Sequence, residues 1–203
     1  MFARQDSLFD SLDSAVGVTE PDAGFRSLIR HELTDGAWLD HAPGWLAGDA
    51  TLFDSLADTV PWSQPEVTMY DRIVTTPRLV ARFDADLHPS LGRMVELLSD
   101  RYGRRLDHIS TNWYRNGDDS VAWHGDRVAR DLPEAVVATV SLRGPREFRY
   151  RRAEGGPSSR IMLGQGDLVA MGGSFQRTWR HAVPKARGPV PARMVVMFRH
   201  AYD

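Results

Sequence analysis

The sequence contains no cysteine. That removes disulfide frameworks, thiolate zinc sites and cysteine nucleophiles together, so any metal must be held by nitrogen and oxygen ligands. No run of about 18 apolar residues occurs, and no membrane span is expected. The opening stretch, MFARQDSLFDSLDS, is acidic and lacks a long apolar segment, so it does not read as a signal or transit peptide; a cytoplasmic enzyme is the expectation. Lysine is nearly missing: Lys185 is the only one among 25 basic residues, which makes arginine the default cation. The net charge of −2 provides no global basic footprint, so nucleic-acid binding has to rest on local charge. Internal repeats and low-complexity segments are also absent.

What is present suits one globular domain. The 203 residues are 42% hydrophobic and 26% charged, enough to bury a sizeable core. Seven histidines and 27 acidic residues supply ligands for a metal. The densest basic stretch holds Arg143, Arg146, Arg149, Arg151, Arg152 and Arg160 against Glu147 and Glu154. It reads equally as a solvated hairpin and as a nucleic-acid patch.

Residues 1–20 are polar and acidic and are expected to pack poorly. Pro21–Leu33 has a helical pattern, with Phe25, Leu28, Ile29 and Leu33 on one face and proline near its start. A short helix is expected over Ala50–Ala57, stopped by Pro61, and short strands and loops over 61–86. Leu87–Tyr102 reads as a helix with Leu91, Met94, Val95 and Leu98 on one face. Beyond Leu106 come strand-like runs at His108–Tyr114, Ala135–Leu142, Glu147–Arg152, Arg160–Leu163, Asp167–Met171, Thr178–Val183 and Arg193–Arg199. Short strands with regular turn signals predict a sandwich or barrel. The expected fold is therefore mostly β with flanking helices (α+β) in a single domain, 1–203. Residues 1–60 would form an N-terminal extension with helices, 61–105 a substrate-recognition region and helix, and 106–203 the catalytic core.

The strongest local feature is His124-Gly125-Asp126. In a strand, residues i and i+2 point to one side, so this pair can chelate a single ion. A histidine from a distant strand would complete a two-histidine, one-carboxylate facial triad, which leaves positions open on Fe(II) for a co-substrate and dioxygen. H-x-D alone is also what a surface or structural pair looks like. His181, in a strand-like run some 55 residues later, is the best second histidine among His31, His41, His88, His108, His181 and His200. Arg193 and Arg199 bracket the apolar strand MVVMF. A buried guanidinium there would match the distal carboxylate of a dicarboxylate, while two arginines capping the strand ends in solvent fit the spacing equally well.

Taken in order, NWYRNGDDSVAWHGD (Asn112–Asp126), LGQGDLVAMGG (Leu163–Gly173), TWRHAVPK (Thr178–Lys185) and PARMVVMFR (Pro191–Arg199) resemble the N-x-Y, H-x-D, distal-histidine and R-x5-R motifs of the AlkB family of dioxygenases. VPW (Val60–Trp62) and PRLVARF (Pro77–Phe83) resemble the family's upstream segments, so the resemblance covers roughly residues 60–199. It implies a double-stranded β-helix (jelly-roll) core with the N-terminal helices packed outside. It implies Fe(II), 2-oxoglutarate and dioxygen as cofactor and co-substrates. His124, Asp126 and His181 would be the iron ligands, and Asn112, Tyr114, Arg193 and Arg199 would line the 2-oxoglutarate site, with Arg193 the main partner of the distal carboxylate. The implied reaction is oxidative dealkylation of an extruded nucleic-acid base, most directly in alkylated DNA; a monomer is the default for an enzyme that must approach a polymer. Phe83, Trp62, Trp179 and His124 itself are the candidate stacking partners; an aromatic in a sandwich is also ordinary core.

The chain departs from the family in three places. Arg127 follows Asp126 where base-repair members often carry an acidic residue, and an arginine cannot accept a hydrogen bond; either base recognition differs, or Arg127 contacts phosphate instead. The segment between Phe83 and Leu87 is short where members usually place a nucleotide-recognition hairpin. Val195 stands where a polar residue is common. The competing readings are a 2-oxoglutarate dioxygenase acting on a small molecule, free nucleobase or protein side chain, a binding module that has lost catalysis, and a cupin-type isomerase.

Overall fold

The computed structural model describes residues 18–69, 72–126, 128 and 132–200. In chain order its elements are β1 (Glu20–Pro21), β2 (Ile29–Glu32), β3 (Ala37–Ala42), β4 (Leu46–Ala47), α1 (Asp49–Thr59), β5 (Glu66–Met69), β6 (Arg72–Thr75), β7 (Leu79–Arg82), α2 (Pro89–Tyr102), β8 (His108–Tyr114), β9 (Val121–His124), β10 (Val137–Arg143), β11 (Arg146–Arg152), β12 (Ser159–Leu163), β13 (Leu168–Gly173), α3 (Phe175–Thr178), β14 (Trp179–Val183) and β15 (Arg193–Arg199). Seven strands build a large sheet in the order β2-β3-β13-β10-β15-β8-β7, and four build a smaller one, β12-β11-β14-β9. The two face each other as the expected jelly roll.

Strand alternation sorts the large sheet into two buried faces. On β15, Met194, Val196 and Phe198 turn to the helices, while Val195 and Met197 turn to the sandwich interior. Arg193 and Arg199 share the parity of Val195 and Met197, so a spacing of six residues puts both guanidinium groups on the inner face. The helix side is packed by Leu52, Phe53 and Leu56 of α1 and Leu91, Met94 and Leu98 of α2, all buried. Each such side chain contributes roughly 1.5–3 kcal/mol of burial. α2 begins two residues later than expected and ends where expected: Pro89 takes the first helical position, His88 accepts from the Ser90 amide, and Gly103 closes the helix at φ 61°.

Three expectations are corrected. Pro21–Leu33 is not a helix. Asp22 and Trp45 exchange hydrogen bonds, the Asp22 carboxylate accepts from the amides of Gly24 and Arg26, Phe25 turns at φ 48° to stack on Trp45, and Ile29–Glu32 pairs with β3. Tertiary contacts and turn chemistry override a weak periodicity in which Ile29 is 58% exposed. Second, the jelly roll does not begin at residue 106, because β2, β3 and β7 belong to its large sheet. Third, a hairpin upstream of the iron motif is not missing. β5 and β6 pair as a separate two-stranded ribbon before Phe83, rather than between Phe83 and Leu87. The expectation for residues 1–17 lies outside the described residues.

Candidate metal and co-substrate site

A cavity of about 460 Å³ opens between the two sheets. Its wall includes His124, Asp126, His181, Asn112, Tyr114, Arg193 and Arg199, so it collects all seven residues expected to hold iron and 2-oxoglutarate.

His124 ends β9 and pairs in register with His181 on β14, and the two ring centroids lie 4.2 Å apart. Asp126 lies past the strand end, so the H-x-D pair is presented by a strand terminus and a loop, not by strand alternation as the spacing suggested. Gly125 makes that loop possible: a Cβ there would meet the Gln176 carbonyl at 2.4 Å. Gln176, buried in α3, accepts the Asp126 amide through Oε1 at 2.8 Å. The Asp126 carboxylate lies 3.7 Å from His181 Nε2 and accepts from Arg199 Nη2 at 2.9 Å.

The electrostatics suit a cation. Burial works to raise the Asp126 carboxyl, but Arg199, His181 and His124 overcome it and hold the group below its ordinary value, so it is an anion at pH 7. Burial, then the neighbouring His124, pushes His181 down to about 3, leaving a neutral imidazole at pH 7. Its Nδ1 is buried without a partner. His124 Nδ1 donates to the Ala122 carbonyl at 2.8 Å, which leaves Nε2 as the lone-pair nitrogen. The three side chains converge without closing: among the described residues no group of three or more His, Asp or Glu stands as a finished ligand cluster. In donor type, charge and protonation the set fits a divalent iron.

Arg193 is the clearest co-substrate feature. It is 1% exposed, one nitrogen donates to Ser141 Oγ at 2.8 Å, and Nε and Nη1 are buried with no partner. Burial lowers it to about 10, still a cation at pH 7. A buried guanidinium with no carboxylate beside it is costly, and a dicarboxylate supplies the missing anion. Tyr114 sits opposite Arg193 in the β8–β15 ladder, with its ring 5.5 Å from the guanidinium carbon, and Asn112 is on the same face. Arg199 has a different place. It bonds Ser110 as well as Asp126, so it braces the carboxylate of the triad more directly than it offers donors to a co-substrate.

Of the expected stacking residues, only His124 lines the cavity. Trp62 packs edge-on against Trp113 and donates to the Ala57 carbonyl, Phe83 packs on the helix-side core, and Trp179 stacks on Phe175. None of the three lines the wall, because core contacts already cover their faces. Arg127 lies outside the described residues. Sequence reasoning misses Ser141, Ser110 and Gln176; each is an uncharged polar residue without a motif, and only register or an α3 contact reveals what it touches.

Residues 57–199 match the family model described as the 2OG-Fe(II) oxygenase superfamily. The chain belongs to that superfamily. Fe(II), 2-oxoglutarate and dioxygen are accordingly the cofactor and co-substrates, and the names of the relatives agree with the resemblance of the motifs to the AlkB family. The alpha-ketoglutarate-dependent dioxygenase alkB homolog 3 of Homo sapiens is 28% identical over 178 residues, covering 74% of this chain and 61% of the relative. The DNA oxidative demethylase ALKBH2 of Arabidopsis thaliana is 26% identical over 243 residues, covering 97% and 77%. The chain thus matches about 61% of the length of the human relative. Among solved structures, a prolyl hydroxylase from Trichoplax adhaerens in complex with a hypoxia inducible factor fragment superposes with TM-score 0.57 at 14% identity, covering 80% of this chain and 83% of that one. A 2OG-Fe(II) oxygenase family oxidoreductase from Burkholderia pseudomallei gives 0.52 at 14%, covering 73% and 76%. These two likenesses concern the fold. Among the described residues no helix is long and apolar enough to cross a membrane.

Proposed function

We propose that this AlkB-type oxygenase is a cytoplasmic monomer that removes alkyl groups from N-alkylated bases of nucleic acid, with DNA as the first substrate to test. His124, Asp126 and His181 hold the iron; Arg193, Tyr114 and Asn112 hold 2-oxoglutarate. The observation that carries the reading is one cavity whose wall joins the H-x-D loop, the distal histidine and the two unpartnered nitrogens of buried Arg193. The extension from oxygenase to base dealkylation draws on the relatives, one of which is named a DNA oxidative demethylase.

When bound, iron would supply, with 2-oxoglutarate and dioxygen, the oxidising chemistry: one oxygen atom of dioxygen ends in succinate as carbon dioxide leaves, and the other on the N-alkyl carbon, which departs as an aldehyde. The chain's own residues arrange this. Arg193 neutralises and orients the distal carboxylate, with Ser141 fixing its guanidinium. Arg199 and the Gln176 side chain fix the Asp126 carboxylate and backbone. Phe148, Leu163, Met171 and Val183 supply apolar wall that excludes water.

A second reading, oxidation of a small molecule, is favoured by one observation: Trp62, Phe83 and Trp179 all lie off the cavity wall, so no base-stacking aromatic among them is in place. Substrate-stimulated succinate formation separates the two. A DNA strand carrying 1-methyladenine or 3-methylcytosine accelerates succinate release and the unmodified strand does not. Equal rates with both strands would remove the dealkylation reading and leave the oxygenase.

A further inference from the structure

The small sheet has an outer face that the site does not use. Alternation turns Phe148, Tyr150 and His181 inward, and so turns Glu147, Arg149, Arg151, Arg160 and Arg180 outward. Glu147 is shared by Arg149 and Arg160. Arg151 and Arg180 have no carboxylate partner among the described residues, yet they stand directly opposite each other in the β11–β14 ladder. Like charges in that relation destabilise a sheet unless an anion lies between them.

Both groups are held in position. The Arg151 guanidinium carbon sits 4.2 Å over the Trp123 ring, with its Nε buried and unpartnered. Arg180 is pinned through Nη1 alone, which donates to the carbonyls of Trp179 at 2.8 Å, Arg177 at 3.3 Å and Gln176 at 3.4 Å. Its other nitrogens make no hydrogen bond among the described residues. Arg180 Nη1 also lies 3.2 Å from where a Cβ would sit on Gly125, the residue between His124 and Asp126. Trp123 and Arg180 are the chain neighbours of His124 and His181. The other arginines of the basic stretch are spoken for: Arg143 pairs with Asp54, Arg146 is buried on the carbonyls of Asn116, Asp119 and Pro184, and Arg152 pairs with Glu154 and Asp35.

We propose that Arg151 and Arg180, backed by Trp123, form a clamp for a backbone phosphate of the nucleic-acid strand whose base enters the cavity. The proposal rests on the dealkylation reading for its partner. Two pre-positioned guanidinium forks match the tetrahedral oxygens of a phosphodiester, and Arg180 stands beside Gly125 of the iron-motif loop, which lines the cavity a flipped base would enter.

The test is fluorescence anisotropy of a labelled, unmodified 12-nucleotide DNA strand, without iron or 2-oxoglutarate, across a salt series. Arg151→Gln with Arg180→Gln weakens binding about tenfold or more and flattens the log K against log salt slope by roughly 0.7 to 1.4, the value for one to two phosphate contacts on a single strand. Arg151→Lys with Arg180→Lys keeps most of the slope, and Arg152→Gln changes neither quantity. Thermal melting of the double glutamine variant, relieved of the like-charge pair, stays at or above that of the parent, so weaker binding is not misfolding. Unchanged affinity and slope in the double glutamine variant overturn the clamp. A parent protein that binds the strand through these arginines but never demethylates it would keep the clamp and sink the dealkylation reading.

Discussion

Arg199 reaches across the sandwich to donate to the Asp126 carboxylate at 2.9 Å, tying the last strand to the iron-motif loop. The two side chains are 14% and 11% exposed, so this ion pair works in a largely desolvated setting. Its consequence is that the second arginine of R-x5-R acts on the metal site. Arg199→Gln is expected to weaken Fe(II) binding about 10- to 100-fold, the usual scale for losing a partner of a metal ligand, with a smaller change in the 2-oxoglutarate requirement. Anaerobic metal competition read beside a 2-oxoglutarate titration checks the split; equal losses in both would return Arg199 to the co-substrate.

Arg193 gives the opposite pattern. Arg193→Met removes a buried charge that forms no ion pair among the described residues, so the variant should be no less stable than the parent in urea unfolding. Its KM for 2-oxoglutarate should rise about 30-fold or more, corresponding to at least ~2 kcal/mol for a truncated buried charge pair. A KM within a factor of two of the parent would take Arg193 out of the co-substrate site.

Gly125→Ala tests the loop without touching a ligand. The added Cβ meets the Gln176 carbonyl at 2.4 Å, so the loop or α3 must shift and the Asp126 position with it. The expected cost is about 1–3 kcal/mol in stability from overpacking, with iron-dependent turnover down about 10- to 100-fold. Melting curves and succinate assays report the two separately, and turnover at parental level would show that the close approach has no bearing on the site.

Acid stability has an identifiable source in Asp119. Burial opposes ionisation, but the Arg115 side chain and amide overcome it and depress the carboxyl below its ordinary 3.8. A depressed carboxyl stabilises the fold fully above the unfolded value and loses that contribution as pH falls from about 3.8 through the folded value. Asp119→Asn should therefore cost about 1–2 kcal/mol at pH 7, after discounting for the half-exposed Arg115, and less at pH 3, below the ordinary value of the carboxyl. Denaturant unfolding at both values checks the sign; an equal cost at both would point to packing instead.

Much of the catalytic half was legible because its constraints are local. Strands β8 and β15 begin and end where alternation and punctuation put them, and the parity of Arg193, Val195, Met197 and Arg199 follows from period two alone. Pro89 and Gly103 likewise bound α2. What escaped depends on partners distant in sequence. β3 carries the buried Asp40, held by Arg30 and Tyr102, which a hydropathy pattern cannot foresee. The Phe25–Leu28 turn mimics a helical stripe because both side chains pack against the helix-side core from a turn. Trp62 and Trp179 read as substrate contacts in the sequence because composition does not say which face of a ring is already covered.

Stoichiometry in the iron-loaded protein tests the site most directly. With a DNA strand bearing 1-methyladenine, one succinate and one formaldehyde are expected for each methyl group lost, and no methyl loss from Asp126→Ala protein of unchanged fold. Succinate formed without methyl loss, or demethylation that survives Asp126→Ala, would contradict that expectation.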